Sequence, residues 1–326
     1  MPLAFLALQK LHALKQYGIE KNTAMLTDSG YNKQVAVQYD SSAENYRPSL
    51  AHYIKKVFLV SDNNAYNRLY EFLGQQYINL ELWKKGYKDI RITRRFMPMN
   101  EDENRHTNPV RFKNGDSVLY YQPAAVSRVE FDFSKKVFIG KGHYNRQDSL
   151  IQTPMDFTTH NNAPLEDLQQ ILQSAIFPLS VKPAQRFGLD SLDYAFLRQY
   201  MSELPRESKY PRYDTTEYFD SYTKFFWFKD GRQHLPDYIR SFNKTGWSYG
   251  FLTDVAYIAD FKHNVEFMLS AVIYVNRDGI LNDDKYEYEE TGYPFFREIG
   301  EIIYRYELGR HRKYLPNLDA FKLAYY

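Results

Sequence analysis

Between Phe251 and Tyr274 the chain holds two long apolar runs, Phe251 to Phe261 and Val265 to Tyr274, joined only by Lys262-His263-Asn264. Two such runs with a short polar link predict a β-hairpin of long strands. A hairpin of that length needs partners to bury its apolar face. The partners are expected upstream in sequence. Tyr238 to Asn243 reads as a strand, and Phe225-Phe226-Trp227-Phe228 as another before Asp230-Gly231. Strands are therefore expected at about 225–230, 237–245, 251–261 and 265–275, with a closing helix over 294–309 on Phe295, Ile299, Ile302 and Ile303.

The first two thirds of the chain have a different period. Leu3, Leu6, Leu11 and Leu14, with Phe5 and Leu8, predict a helix over 2–17 ended by Gly18. Ser49 is a plausible N-cap for a helix buried on Leu50, Ile54, Phe58 and Leu59. Further helices are expected over about 64–73, 76–85, 164–176 and 189–204, with 87–108 an irregular loop. Residues 110–160 alternate in short runs broken by Asn114-Gly115, Pro123 and Gly140, which reads as a β-rich insertion. Helices followed by a strand meander and a helix argue α+β. The expected organisation is one domain, 1–326, in two lobes: 19–220 mainly helical, and 221–326 with helix 2–17 forming a sheet lobe.

Composition sets outer limits. Charged residues at 25% and apolar residues at 44% are globular values. Lys+Arg 42 against Asp+Glu 40 leaves a net charge of +2, with no basic stripe for nucleic acid. The absence of cysteine excludes disulfides and thiolate chemistry. No apolar run reaches the length of a transmembrane helix, and the N-terminus lacks the basic region and cleavage site of a signal peptide. The eight histidines show no His-x-x-x-His spacing and no Gly-rich phosphate loop occurs, so no metal and no cofactor is expected.

Two short motifs carry chemistry. Ser61-Asp62-Asn63 joins two predicted helices, and Lys244-Thr245-Gly246 ends a predicted strand. Their order and flanks, Val60 to Ala65 and Gly250-Phe251-Leu252-Thr253-Asp254, resemble the serine β-lactamases and penicillin-binding proteins. Class A β-lactamases are the nearer likeness. The signatures of that superfamily are Ser-x-x-Lys, Ser-Asp-Asn and Lys-Thr-Gly. The resemblance implies a β-lactamase/transpeptidase-like fold: an antiparallel sheet flanked by helices, plus an all-helical lobe. It implies a cell-envelope or periplasmic location and acyl transfer on β-lactam or D-amino-acyl amide bonds. Ser61 would relay a proton toward the leaving nitrogen, and Asn63 would hold the substrate's amide carbonyl. Lys244 would supply positive potential and Thr245 would bond a substrate carboxylate. Gly246 would let substrate lie along the strand, and the N–H of Trp247 would be an oxyanion donor.

Two departures bear on activity. The Ser-x-x-Lys nucleophile motif is not in its family place. Helix 2–17 resembles the apolar continuation of the helix that this motif opens, so a truncated N-terminus lacking the first strands is expected. An internal Ser-x-x-Lys, Ser221-Tyr222-Thr223-Lys224, comes after Ser61-Asp62-Asn63 and beside a strand signal, which marks it as a decoy. The loop that carries the class A general-base Glu reads Phe96-Met97-Pro98-Met99-Asn100, with no carboxylate before the proline. The alternative is a non-catalytic binder of cell-wall peptide or another carboxylate-bearing ligand. The expected partner in either case is a small molecule or peptide, not nucleic acid.

Overall fold

A computed structural model describes residues 1–226 and 234–325. Its contacts divide the chain into two compact units. The first comprises Met1–Glu130, Asn161–Tyr218 and Ala324–Tyr326; the second comprises Phe131–His160 and Phe219–Leu323.

The first unit is mainly helical. Its helices are α1 (Pro2–His12), α2 (Leu50–Leu59), α3 (Asn63–Leu73), α4 (Gln75–Lys84), α5 (Glu101–Arg105), α6 (Leu165–Ile176) and α7 (Ser191–Ser202). α1 is buried on nearly every side from Pro2 to Leu8 and packs against α2, α3 and α4. A helix apolar all round belongs in a core, so its even coat of Leu, Ala and Phe explains its place. It therefore sits in the helical unit, where the sequence grouping had put it with the sheet. It also ends sooner than the predicted 2–17: a separate 3-10 turn, Lys15–Tyr17, carries the chain to Gly18 at φ +69°.

Local chemistry sets the helix ends. Ser49 accepts from the N–H of His52 at 3.2 Å and caps α2. α5 was not expected inside 87–108. Its signal is a capping box, in which Asn100 and Glu103 bond reciprocally to each other's backbone N–H, each at 2.8 Å.

Five strands complete the unit: β1 (Ala24–Thr27), β2 (His106–Thr107), β3 (Val110–Asn114), β4 (Ser117–Gln122) and β5 (Ala125–Val126). β1, β3 and β4 form an antiparallel sheet in that order, and β2 pairs with β5. β1 lies in a segment too polar to show a strand period. The predicted insertion at 110–160 is β-rich but divides between the units at Glu130.

The second unit holds β6 (Phe138–Ile139), β7 (Gly142–Tyr144), β8 (Leu150–Ile151), β9 (Met155–Asp156), β10 (Ile239–Ser248), β11 (Phe251–Asp260), β12 (Val265–Tyr274), β13 (Ile280–Leu281) and α8 (Tyr293–Gly309). β10, β11 and β12 form an antiparallel meander, and α8 packs on β12. β11 is buried almost throughout, as a central strand covered on both faces should be. The β10–β11 link is the two-residue turn Tyr249-Gly250, with φ +53° and +83°. Positive φ at both positions matches the twist of the strands, and glycine takes the second without strain. β7 pairs antiparallel with β8 and parallel with β13, while β6 pairs with β9.

One strand expectation fails. Phe225 and Phe226 are not in a strand; their N–H groups donate to Asp254 at 3.0 and 3.4 Å. Residues 227–230 of that run lie outside the described residues. The fold is nonetheless α+β with antiparallel sheets. Among the described residues no helix is long and apolar enough to cross a membrane.

Candidate functional site

The predicted site residues fall in different units: Ser61 and Asn63 in the first, Lys244, Thr245, Gly246 and Trp247 in the second. Each group has its own local logic.

In the first unit the chain leaves α2 at Val60 and turns sharply. Ser61 takes φ +58°, the left-handed region that costs a residue with a Cβ about 1–2 kcal/mol. Asp62 then caps α3, its carboxylate accepting the N–H of Ala65 at 2.7 Å. Asn63 opens the helix and is exposed. The cap and the motif are thus the same residues, and the short link between helices leaves Ser61 and Asn63 on either side of the capping residue in the chain.

Asp62 also meets a wider ionic cluster. Lys56 Nζ lies 3.2 Å from Asp62 Oδ2 and 3.2 Å from Asp40 Oδ2. Asp40 in turn faces His52 Nε2 at 3.0 Å and accepts from the hydroxyl and N–H of Ser42 at 2.6 and 2.9 Å. The His52 bond, helped by those from Ser42, holds the Asp40 carboxyl well below the usual carboxylate range. Ser42, His52 and Asp40 are the residue types of a hydrolytic triad, but Ser42 Oγ also addresses His52 Nε2, at 3.2 Å. A proton relay needs acid and hydroxyl on opposite ring nitrogens. The cluster is structural.

The segment after α4 is tied to α3. Asn67, one turn beyond Asn63, accepts the N–H of Phe96 at 2.8 Å, and the rings of Tyr66 and Phe96 lie 4.3 Å apart. Arg95 is buried against Glu71 at 3.2 Å, and Glu71 also meets Arg68 at 2.9 Å. Met97 precedes Pro98, so a thioether stands where a general base would be sought. The later carboxylates are engaged elsewhere. Glu103 serves the α5 cap and pairs with Lys33 at 3.0 Å, and the N–H of Asn100 lowers its pKa. Glu101 pairs with Arg105 at 3.0 Å.

In the second unit Lys244-Thr245-Gly246-Trp247 lie on β10, a strand whose only ladder partner among the described residues is β11. Burial pushes the Lys244 ammonium down to about 8, against the opposing pull of Asp254. The Thr245 hydroxyl is buried with no hydrogen-bond partner among the described residues. A Cβ placed on Gly246 would meet nothing within 4 Å, so the space over that residue is open. Trp247 is 37% exposed and packs edge-on to Tyr222 at 5.7 Å.

Beneath β10 runs a buried chain that the sequence did not reveal. Lys224 Nζ donates to Asn243 Oδ1 at 2.7 Å, and Asn243 Nδ2 donates to Asp254 Oδ1 at 2.8 Å. Burial pushes the Asp254 carboxyl up to about 6. Ser221 and Lys224 are both buried, with the N–H of Lys224 closing a turn on the Ser221 carbonyl at 3.0 Å. Lys224 thus braces the sheet. A second match to Ser-x-x-Lys, Ser241-Phe242-Asn243-Lys244, runs along β10. Residues three apart on a strand point to opposite faces, so these two cannot act as a pair.

Two other features were invisible in sequence. His12, Asp190 and Asp193 bring three ligand atoms within 4.8 Å of one another. Asp190 and Asp193 form the capping box of α7, and Lys15 Nζ sits 2.9 Å from Asp190, where it supplies the balancing cation. A cleft of about 960 Å³ mixes Arg47, Lys55, Lys113 and Lys209 with Glu20, Glu44 and Glu203, a lining of both signs.

Residues 6–127 match the family model described as the β-lactamase enzyme family, a segment that contains Ser61-Asp62-Asn63. The match supports the resemblance to the serine β-lactamase and penicillin-binding-protein superfamily. Among solved structures the chain is similar to a β-lactamase from Sphaerobacter thermophilus DSM 20745, at 13% identity and a TM-score of 0.47, over 94% of this chain and 81% of that one. No curated protein matches the sequence.

Proposed function

We propose that this chain has a class A β-lactamase-like serine hydrolase design, recognising a β-lactam or D-amino-acyl amide that bears a carboxylate. The observation that carries the reading is the family match over residues 6–127, because it spans Ser61-Asp62-Asn63. In this reading Lys244 supplies the positive potential for the ligand carboxylate, which counts for more in a desolvated setting than in water. Thr245 donates its buried hydroxyl to the same group. Asn63 binds the amide carbonyl, Ser61 passes a proton to the leaving nitrogen, and the N–H of Trp247 faces the developing oxyanion. The open space over Gly246 admits ligand backbone. A cell-envelope location belongs to the same reading.

Acyl transfer further needs a hydroxyl nucleophile with a base to take its proton. Ser241 and Lys244 point to opposite faces of β10, and the Lys224 ammonium is bound to Asn243 Oδ1 at 2.7 Å. The test is exposure of the chain to a fluorescent penicillin, with calorimetric titration of penicillin beside it. A covalent label, or hydrolysis of the penicillin, supports the hydrolase reading. Absence of label and of hydrolysis, with no penicillin binding at millimolar concentration, overturns it.

The second reading is a binder without turnover. Met97 favours it, since a thioether before Pro98 cannot activate the water that would release an acyl group. Non-covalent binding of penicillin with neither covalent label nor hydrolysis would distinguish it.

A further inference from the structure

We propose that Lys56 is a positioning residue for the Ser61-Asp62-Asn63 loop, acting through Asp62. The inference rests on the proposed function only for its ligand; the loop geometry stands by itself.

Asp62 has two carboxylate oxygens with separate tasks. Oδ1 accepts the N–H of Ala65 at 2.7 Å and so starts α3. Oδ2 faces Lys56 Nζ at 3.2 Å. Rotating the carboxylate to gain one interaction loses the other, so Lys56 fixes its plane. Lys56 is fixed in turn. Its ammonium bridges to Asp40 at 3.2 Å, and Asp40 is anchored by His52 and by Ser42. The Lys56 side chain is only 15% exposed, which restricts its rotamers and reduces screening by solvent.

The backbone of the same residue also holds the turn. The carbonyl of Lys56 accepts from the N–H of Val60 at 3.2 Å and of Asp62 at 3.3 Å. Those two bonds bracket Ser61, the residue held at φ +58°. A non-glycine residue stays in that region only where its neighbours over-determine it. Lys56 grips the loop on both sides of the strained position: carbonyl to backbone, and ammonium to the capping carboxylate. The direction of Ser61 Oγ and of the Asn63 amide depends on that grip.

The experiment uses the full 326-residue chain with Lys56→Met, which keeps the length of the apolar stem, and with Lys56→Arg, which keeps the cation. Amide exchange and NMR shifts of residues 61–63 are read beside those of β10–β12, together with penicillin affinity by calorimetry. The expected result for Lys56→Met is amide exchange at residues 61–63 faster by about tenfold or more, equivalent to a tenfold shift in the local opening equilibrium. β10–β12 amides should not change. Lys56→Arg should restore both exchange and affinity.

Unchanged exchange and shifts at residues 61–63 in Lys56→Met would overturn the proposal, as would failure of Lys56→Arg to rescue. Should Lys56→Met not fold, Asp40→Asn removes the anchor of the ammonium and is read by the same signals. If the wild-type chain binds no penicillin yet the loop loosens in Lys56→Met, the ligand reading fails and the positioning role stands.

Discussion

At the scale of residues, the second-unit motif combines an ammonium, a hydroxyl and an open backbone on one strand. Burial brings Lys244 down to about 8, so its charge is complete below that pH and declines through it. If Lys244 pairs with a ligand carboxylate, penicillin affinity is constant from pH 6 to 7 and falls as pH rises through about 8. Calorimetry across that range checks the sign; affinity that holds at pH 10 would exclude the charge. Thr245 gives a sharper test, because its buried hydroxyl lacks a partner among the described residues. An unsatisfied buried polar group costs roughly 1–3 kcal/mol. Thr245→Val should therefore keep or raise Tm while weakening penicillin binding about tenfold. A fall in Tm with unchanged affinity would assign the hydroxyl to the fold. The motif residues could be read from the chain because the family signature names them. Their environment could not: the Lys224–Asn243–Asp254 chain joins residues up to 30 apart, none of which carries a motif that marks them as partners.

At the scale of elements, long regular segments announced themselves and short ones did not. The β11–β12 hairpin, α2 and α6 follow from period and turn chemistry, and the structure places them within a few residues of expectation. α5 was missed because its signal is a cap and not an apolar stripe. β1 was missed because one short run of Ala24–Thr27 is stabilised by pairing with β3, a tertiary fact. Phe225-Phe226 misled in the other direction: apolar density was mistaken for a strand when the two N–H groups in fact satisfy Asp254. Asp62 is the element-scale test for the helical unit. Asp62→Ala removes the α3 cap, and a capping side chain contributes about 1 kcal/mol. The larger loss should come from Arg95→Met, which leaves Glu71 buried with Arg68 as its remaining ion-pair partner. Breaking a buried pair from one side costs about 3–5 kcal/mol. Chemical denaturation should rank the two in that order; equal losses would mean that the Glu71–Arg95 pair is largely solvated.

At the scale of the whole molecule, the acidic groups divide by sign. Asp40 has its pKa lowered by His52, so it contributes stability above the unfolded carboxylate range, and that stability is lost as pH falls from about 4. Asp254 has its pKa raised to about 6, so it favours the fold at low pH and this contribution fades as pH rises from about 4 through 6. The two carboxylates lie in different units. Acid should therefore loosen α2 and the Ser61 loop before β10–β12, which amide exchange at pH 3.5 and pH 6.5 would show; loss of the sheet first would contradict it. The place of α1 was not legible from the change of period along the chain, because it is set by what the helix packs against and not by the residues beside it in sequence.

The most direct test of the recognition claim is calorimetric titration of the chain with benzylpenicillin at pH 6.5, beside Lys244→Met. The account predicts saturable binding by the wild-type chain and a loss of affinity of about tenfold or more in the variant. No heat of binding at millimolar ligand, or equal affinity in both proteins, would contradict it.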